Sequence, residues 1–249
     1  MGKLDGIIKI QGTLENLTFY KTTDGHLVRT KGGVSKKRIQ SDPAFLRTRE
    51  NGTEFGHSAH AGKMLRLSVG TMLFHAKDRR LVSRLLKVMS QIKNLDTSSM
   101  RGQRQVSVGL TTAEGKLILK GFDFNANAAL SSIFYPPIAL ATATGEVTVA
   151  NFIPREQLMA PEGATHFSMQ SAFVNLDFAT GLFETTYSTV ENHPIDNTLT
   201  SFTLTPSAVP AGSGNAFYLI LIEFFQEVNA VQYVLNNGAY NVLNILEVV

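Results

Sequence analysis

Apolar and polar residues alternate with a period of two over residues 8–11 and 17–20, which predicts exposed β-strands in the first forty residues. Asp24 and Gly25 follow the second run and are typical of a tight hairpin turn, because this pair readily adopts positive φ. Residues 31–38 (KGGVSKKR) then indicate a glycine-containing basic loop. Because little of this segment could form a core by itself, we expect it to pack on the rest of its chain or on another chain.

Two helices are predicted next. Asp42 supplies an N-cap, and Pro43 fits the first helical position, where its missing N–H costs nothing. Spacings of three and four residues predict one stripe of the first helix: Phe45, Thr48, Gly52, Phe55, Ala59 and Gly62. Its glycines cost roughly 1 kcal/mol each relative to alanine, so we expect this helix to depend on close packing. The second helix combines an apolar face (Leu81, Leu85, Val88, Ile92, Leu95) with a basic face (Arg80, Arg84, Lys87).

After the polar stretch that ends at residue 105, the pattern predicts strands that continue to the C-terminus. Turn signals at residues 179–181 and 236–238 predict hairpins, and the apolar run at 217–225 predicts a central strand. About seven short strands separated by turn signals are typical of an antiparallel β-sandwich. The run at 217–225 contains Glu223 and is too short to cross a membrane, which requires about 18 to 20 apolar residues.

Charge is segregated along the chain, although the net charge is only +3. Residues 1–120 hold 22 of the 23 Lys and Arg residues but 9 of the 20 acidic residues, a balance of +13. Residues 121–249 hold 11 acidic residues and one basic residue, Arg155, a balance of −10. This asymmetry predicts two regions with different roles, although neutralisation within one molecule explains it equally well.

These patterns predict an α+β fold in three parts. A basic N-terminal β-hairpin arm (1–40) and a basic helical region with two helices (41–120) precede an acidic C-terminal antiparallel β-sandwich (121–249). The absence of cysteine excludes disulfides, thiolate metal sites and cysteine nucleophiles. The first ten residues lack the apolar segment of a signal peptide, so we expect cytoplasmic synthesis and leave later release by another route open.

Several phrases of the sequence resemble an uncharacterised family of Bacteroidota proteins. They are the hairpin that begins with GTL at Gly12, the basic KGG loop, the helix start DPAFLRTREN at 42–51 and the phrase PEGATHF at 161–167. The resemblance covers most of the chain and implies a bacterial protein with a two-part layout. It implies no activity and no catalytic residues.

Candidate catalytic and metal-binding motifs are sparse. His57 and His60 lie three residues apart, whereas the zinc-protease motif HExxH needs a glutamate after the first histidine and a four-residue spacing. We therefore interpret both as surface or interface histidines and predict no metal and no cofactor. No GxSxG nucleophile motif occurs, so we predict that the protein is not an enzyme. The basic loop at 31–38 lacks the Walker pattern but suits phosphate contacts.

The charge pattern favours a non-enzymatic structural protein that assembles with copies of itself, head to tail, into a filament, tube or ring. The basic half of one subunit would meet the acidic sandwich of the next, and the arm would add strands to an exposed sheet edge. The alternative is a nucleic-acid-associated or phage-like particle protein that binds DNA or RNA through the basic half. We predict no membrane partner and no small-molecule substrate. Charge clustering selects Lys36, Lys37, Arg38, Arg47 and Arg49 as basic interface residues, and Glu184, Glu191, Asp196, Glu223 and Glu227 as acidic ones.

Overall fold

The computed structural model describes residues 2–4, 6, 9–30, 33–76 and 78–249. The chain divides into two compact units, residues 1–51 and residues 52–249. Both helices and strands are present, and every strand pairing among the described residues is antiparallel. The α+β class is thereby confirmed.

The first unit contains a four-stranded sheet. Its strands are β1 (Gly2–Lys3), β2 (Gly12–Leu14), β3 (Leu17–Thr22) and β4 (Gly25–Thr30), in the order β1-β4-β3-β2. The predicted hairpin is confirmed, but its turn is one residue earlier than predicted. Residues 23 and 24 form the turn, because Thr22 pairs with Gly25, the first residue of β4, whose φ is 116°. The strand predicted at residues 8–11 differs, because residues 9–11 precede β2 and Ile8 lies outside the described residues.

A short helix, α1 (Lys36–Ser41), follows the sheet. The hydroxyl of Ser35 accepts a hydrogen bond from the N–H of Arg38 at 3.3 Å and caps the first turn. The predicted basic loop is therefore wrong for residues 36–38, where the Ser35 cap starts a helix. Residues 31 and 32 of that loop lie outside the described residues.

The predicted helix start at Asp42 is confirmed. Its carboxylate accepts a hydrogen bond from the N–H of Ala44 at 2.9 Å, and a 3-10 turn (Pro43–Phe45) leads into α2 (Leu46–Val69). Of the predicted stripe only Gly62 is buried, where an added Cβ would lie 3.5 Å from Leu85 Cγ. The stripe is otherwise wrong, because the buried face mixes polar and apolar residues: Glu54, Ser58, Ala61, Gly62, Met64, Leu65, Ser68 and Val69.

The second unit continues with short helices. They are α3 (Met72–His75), α4 (Leu81–Asn94), α5 (Val106–Gly109), α6 (Ala113–Leu119), α7 (Leu130–Ile133) and α8 (Pro154–Gln157). The second predicted helix is confirmed by α4, which buries Leu81, Leu85 and Ile92. The prediction that strands continue from residue 105 is wrong, because α5 to α8 lie after this residue. Helices this short show no diagnostic hydrophobic period, so the pattern does not predict them.

Two sheets complete the second unit. Their strands are β5 (Ile138–Ala141), β6 (Glu146–Phe152), β7 (His166–Leu176), β8 (Phe183–Tyr187), β9 (Glu191–Pro194), β10 (Thr200–Leu204), β11 (Asn215–Val228), β12 (Val231–Val234) and β13 (Val242–Val248). The smaller sheet has the order β10-β6-β5, and the larger, curled sheet has the order β12-β11-β7-β8. In the larger sheet β13 also pairs with β11, and β9 also pairs with β7. The predicted central strand at 217–225 is confirmed, since β11 is paired on both sides.

One of the two predicted C-terminal hairpins is found. Residues 179–181 connect β7 to β8 as predicted. Residues 236–238 instead belong to a 3-10 helix (Leu235–Gly238). Asn229 and Ala230 form the turn between β11 and β12, with φ of 53° and 61°. The sequence pattern does not predict this turn, because it contains no glycine.

Two hydrophobic clusters lie on opposite faces of the larger sheet. Leu219 of β11 belongs to a cluster that also contains Leu65 and Leu85 of the helices. Its neighbour Ile220 belongs to a second cluster that contains Val149 of the smaller sheet. The antiparallel β-structure of the C-terminal region is confirmed, whereas the β-sandwich and the domain boundaries at 40 and 120 stay predictions.

Candidate assembly surfaces

The first unit has no buried side chain among its described residues. Its β2–β3 hairpin ends in a cross-strand pair, Leu14 and Leu17, and the Leu14 side chain is 64% exposed. A sheet of this size normally needs a buried apolar face for independent stability. The first unit therefore exposes apolar surface that a partner could cover.

Two lysines of the predicted basic surface lie exposed in the first turn of α1. Among the described residues, no carboxylate oxygen lies within 4 Å of the ammonium group of Lys36 or Lys37. Cations in the first turn face the positive end of the helix dipole, so helix stability does not explain their position. Both lysines are available for an external anionic partner.

The three arginines of the predicted basic surface have partners within the first unit. Arg38 Nε lies 3.1 Å from Asp42 Oδ2, and its guanidinium lies 5.7 Å from the centroid of the Phe45 ring. Arg47 pairs with Glu50 at 2.8 Å. Arg49 donates hydrogen bonds to the carbonyl oxygens of residues 39 and 42, at 2.8 and 2.9 Å, and so connects α1 to the start of α2. The structure thus places all five predicted basic residues within one short segment.

On the acidic side, Glu223 and Glu227 lie four residues apart on β11, so both project from the same face of this strand. Glu223 Oε1 lies 2.9 Å from Nδ1 of His75, and Glu227 Oε2 lies 3.6 Å from Nε2 of His166. Gln232 Nε2 of β12 also donates a hydrogen bond to Glu227 at 3.3 Å. These two carboxylates form the part of the predicted acidic surface that the fold brings together.

The other predicted acidic residues lie on other strands and loops of the second unit. Glu191 Oε2 lies 3.4 Å from His193 Nε2, and Asp196 Oδ1 accepts the N–H of Thr198 at 2.8 Å. Glu184 accepts the N–H of Ala211 at 2.6 Å. Glu184 pairs with Asn175 of β7, and Glu223 pairs with Ser168 of the same strand. The two acidic residues are therefore seven residues apart along β7, a distance of roughly 23 Å. The five acidic residues therefore do not form one cluster.

A buried ion network that the sequence analysis missed connects α2, α4 and the segment at 102–104. Glu54, with a side chain 2% exposed, pairs with Lys93 Nζ at 2.6 Å and Arg104 Nη2 at 2.7 Å. It also accepts the N–H of Gly102 at 2.7 Å. The signal in the sequence is the spacing of Glu54 with Ser58, a four-residue step on the buried face of α2.

Hydrogen bonding keeps both buried carboxylates of this region ionised. The hydrogen bonds from Arg104 lower the pKa of Glu54 to about 2, against the opposing effect of burial. Burial opposes ionisation of Asp96, but hydrogen bonds from Ser99 and from the N–H of Gln105 hold its pKa well below its ordinary value. Every charge in this network is paired or hydrogen-bonded, so removal of one partner is expected to destabilise the second unit.

The histidines considered for metal binding lie on the exposed side of α2. His57 and His60 border a small cavity of about 200 Å³ together with Gln105 and Phe178. Within the described ranges, no group of three His, Asp or Glu side chains is placed to hold a metal ion. Likewise, no helix in the described part of the chain is both long and apolar enough to span a membrane.

Comparison of the chain with protein-family models, with curated proteins and with solved structures finds no match. The resemblance to Bacteroidota proteins therefore stays a prediction.

Proposed function

We propose that the protein is a non-enzymatic structural subunit that assembles head to tail, with the first unit of one copy docked on the second unit of the next. The observation that carries the proposal is the first unit itself, whose described residues form four strands without burying one side chain. Such a sheet gains stability when another surface covers it. Head-to-tail contacts of this kind generate rings when they close and filaments when they do not.

Charge supports the same pairing. Lys36 and Lys37 are exposed on the first unit, and Glu223 and Glu227 share one face of a strand in the acidic region at 121–249, which lies within the second unit. Complementary charges raise the rate and the specificity of association more than its affinity. On this proposal the charges orient the copies, and apolar burial stabilises the contact.

The acidic region at residues 121–249 is proposed to be a β-sandwich that presents these surfaces. The second hydrophobic cluster supports this, because it joins Val149 and Leu204 of the smaller sheet to Met169 and Phe224 of the larger one. Two sheets that share one apolar layer give a rigid support for a docking site.

The test is assembly of the full-length protein after nuclease treatment, measured by light scattering and negative-stain electron microscopy. We expect rings, tubes or filaments from the native sequence and weaker association from Lys36→Glu with Lys37→Glu, a change that removes no ion pair among the described residues. The matched control, Lys63→Glu with Lys87→Glu, makes the same charge change on exposed residues of the second unit and should assemble normally. Equal assembly by both variants would contradict the proposal.

Nucleic-acid binding is the second candidate, and the exposed Lys36 and Lys37 favour it as well, because lysines with no carboxylate partner in the described part of the chain suit phosphates. The ratio of absorbance at 260 and 280 nm after purification distinguishes the two functions. Two results would favour the second candidate. One is that particles form only with bound nucleic acid, and the other is that the Lys36→Glu, Lys37→Glu variant loses nucleic acid but still associates.

A further inference from the structure

The edge of the larger sheet beyond β13 is covered by the chain itself. The N–H of Gly121 donates to the carbonyl oxygen of Ile245 at 2.7 Å, and the N–H of Phe124 donates to that of Leu243 at 2.8 Å. The N–H of Ile245 in turn donates to the carbonyl oxygen of Phe122 at 3.1 Å. Backbone groups on this side are therefore already paired.

The edge formed by β8 and β9 is also protected. The N–H of Ser207 donates to the carbonyl oxygen of Tyr187 at 3.0 Å, and Thr186 Oγ1 donates to that of Ala208 at 2.7 Å, so residues 206–208 cover β8. The strand β9 contains Pro194, which has no N–H for a further strand. Proline and covering loops are the devices by which sheets prevent strand addition.

The strand β12 lacks such protection. It pairs with β11, and no other strand of the described chain pairs with its outer side. Val228 and Val231 flank the two-residue turn and form a hydrogen-bonded pair. In an antiparallel ladder, hydrogen-bonded and non-hydrogen-bonded pairs alternate, so the N–H groups of Gln232 and Val234 point away from β11. The strand contains no lysine or proline, and the Tyr233 side chain is 57% exposed.

The β2–β3 hairpin of the first unit is complementary to this edge. The strand β2 pairs with β3 alone among the described strands, so its outer edge is also open. Leu14 and Leu17 supply exposed apolar side chains to match Val231 and Tyr233 of β12. The charges of the two surfaces are also complementary. Residues 1–51 carry ten basic and five acidic residues, and β12 lies beside the acidic residue Glu227, which is directly opposite Gln232.

We propose that β12 is the acceptor edge for the β2–β3 hairpin of a second copy of this chain, so that β2 extends the larger sheet of its neighbour. This inference rests on the proposed function and assigns it a specific contact. Backbone hydrogen bonds to the groups at 232 and 234 supply the pairing, and burial of Leu14 against Tyr233 supplies the apolar contribution.

Cysteine cross-linking of the full chain tests the contact, since the native sequence contains no cysteine. Leu14→Cys and Tyr233→Cys are prepared as separate proteins, mixed, and treated with a short bismaleimide. A cross-link between the two variants is then necessarily between copies. We expect a heterodimer band from this mixture and none above background from Leu14→Cys mixed with Ala139→Cys, a matched exposed position on the β5 edge.

Two further variants separate strand pairing from a general apolar contact. Val234→Pro removes one outward N–H and should abolish assembly while leaving circular dichroism and thermal unfolding close to native. Tyr233→Lys should weaken assembly, whereas Ala139→Lys should not. Normal assembly by Val234→Pro, or cross-linking at position 139 instead of 233, would overturn the β12 assignment while leaving self-assembly intact. A protein that stays monomeric would overturn both proposals.

Discussion

Replacing Glu54 with glutamine should destabilise the second unit strongly. The carboxylate is the shared acceptor for Lys93, Arg104 and the N–H of Gly102, and the Lys93 side chain is only 11% exposed. A neutral amide leaves this lysine buried without a counter-charge, and breaking a buried ion pair in this way costs about 3–5 kcal/mol. For a chain of this length, each kcal/mol corresponds to roughly 2–4 °C in the unfolding temperature, so we expect a decrease of roughly 6–20 °C.

Differential scanning calorimetry at pH 7 measures this decrease. The control is Glu162→Gln, which makes the same chemical change at an exposed turn and should stay within about 0.5 kcal/mol of native. The double variant Glu54→Gln, Lys93→Met should lose less stability than the two single variants together, because it removes both charges of the pair. If Glu54→Gln unfolds at the same temperature as the control, the ion network does not stabilise the fold.

The same network predicts how stability depends on pH. The pKa of Glu54 is about 2 in the folded protein and 4.5 ordinarily, so the folded state favours the ionised carboxylate. The stabilisation is complete above about pH 4.5 and is lost as the pH falls towards 2. Glu54→Gln should therefore show a weaker loss of stability than the native protein over this range, and identical slopes would contradict the assignment.

Three further predictions follow from packing and charge. Gly56→Ala should raise the free energy of unfolding by roughly 0.5–1 kcal/mol, because the added Cβ meets no atom within 4 Å. Gly109→Ala should lower the free energy of unfolding, because its Cβ would clash with the carbonyl oxygen of Ile92. Chemical denaturation measures both changes. Deletion of residues 1–40 removes no member of either hydrophobic cluster, so thermal unfolding should persist while size-exclusion chromatography shows loss of assembly. Raising sodium chloride to 1 M shortens the screening length to about 3 Å, so light scattering should show slower assembly but persistent preformed particles; rates independent of salt would indicate neutralisation within each subunit.

Sequence patterns predicted the elements whose signals are local and regular. The helix α4 shows an apolar period, and β11 is a continuous apolar run, so both are found where predicted. The buried face of α2 was missed because Glu54 and Ser58 interrupt its hydrophobic period. Helices of four residues such as α5 are too short to show a period at all.

The candidate surfaces were predictable to the extent that they are contiguous in sequence. The basic residues from Lys36 to Arg49 belong to one short segment of the sequence, so they necessarily lie close together. The pairing of His75 with Glu223 joins residues 148 positions apart, and the covering of β13 by residues 121–124 depends on the tertiary fold. Which sheet edge stays open is therefore visible only in the structure.

The molar mass of the nuclease-treated, full-length protein in solution tests head-to-tail assembly most directly. Multi-angle light scattering at increasing protein concentration should give masses that rise in multiples of the 27.2 kDa subunit, or the mass of a closed ring. Mixing Leu14→Asp with Val234→Pro, each blocked at one of the two surfaces, should limit growth to a heterodimer through the remaining intact pair. A mass of one subunit at every concentration, or of a two-fold dimer that does not grow, would contradict head-to-tail assembly.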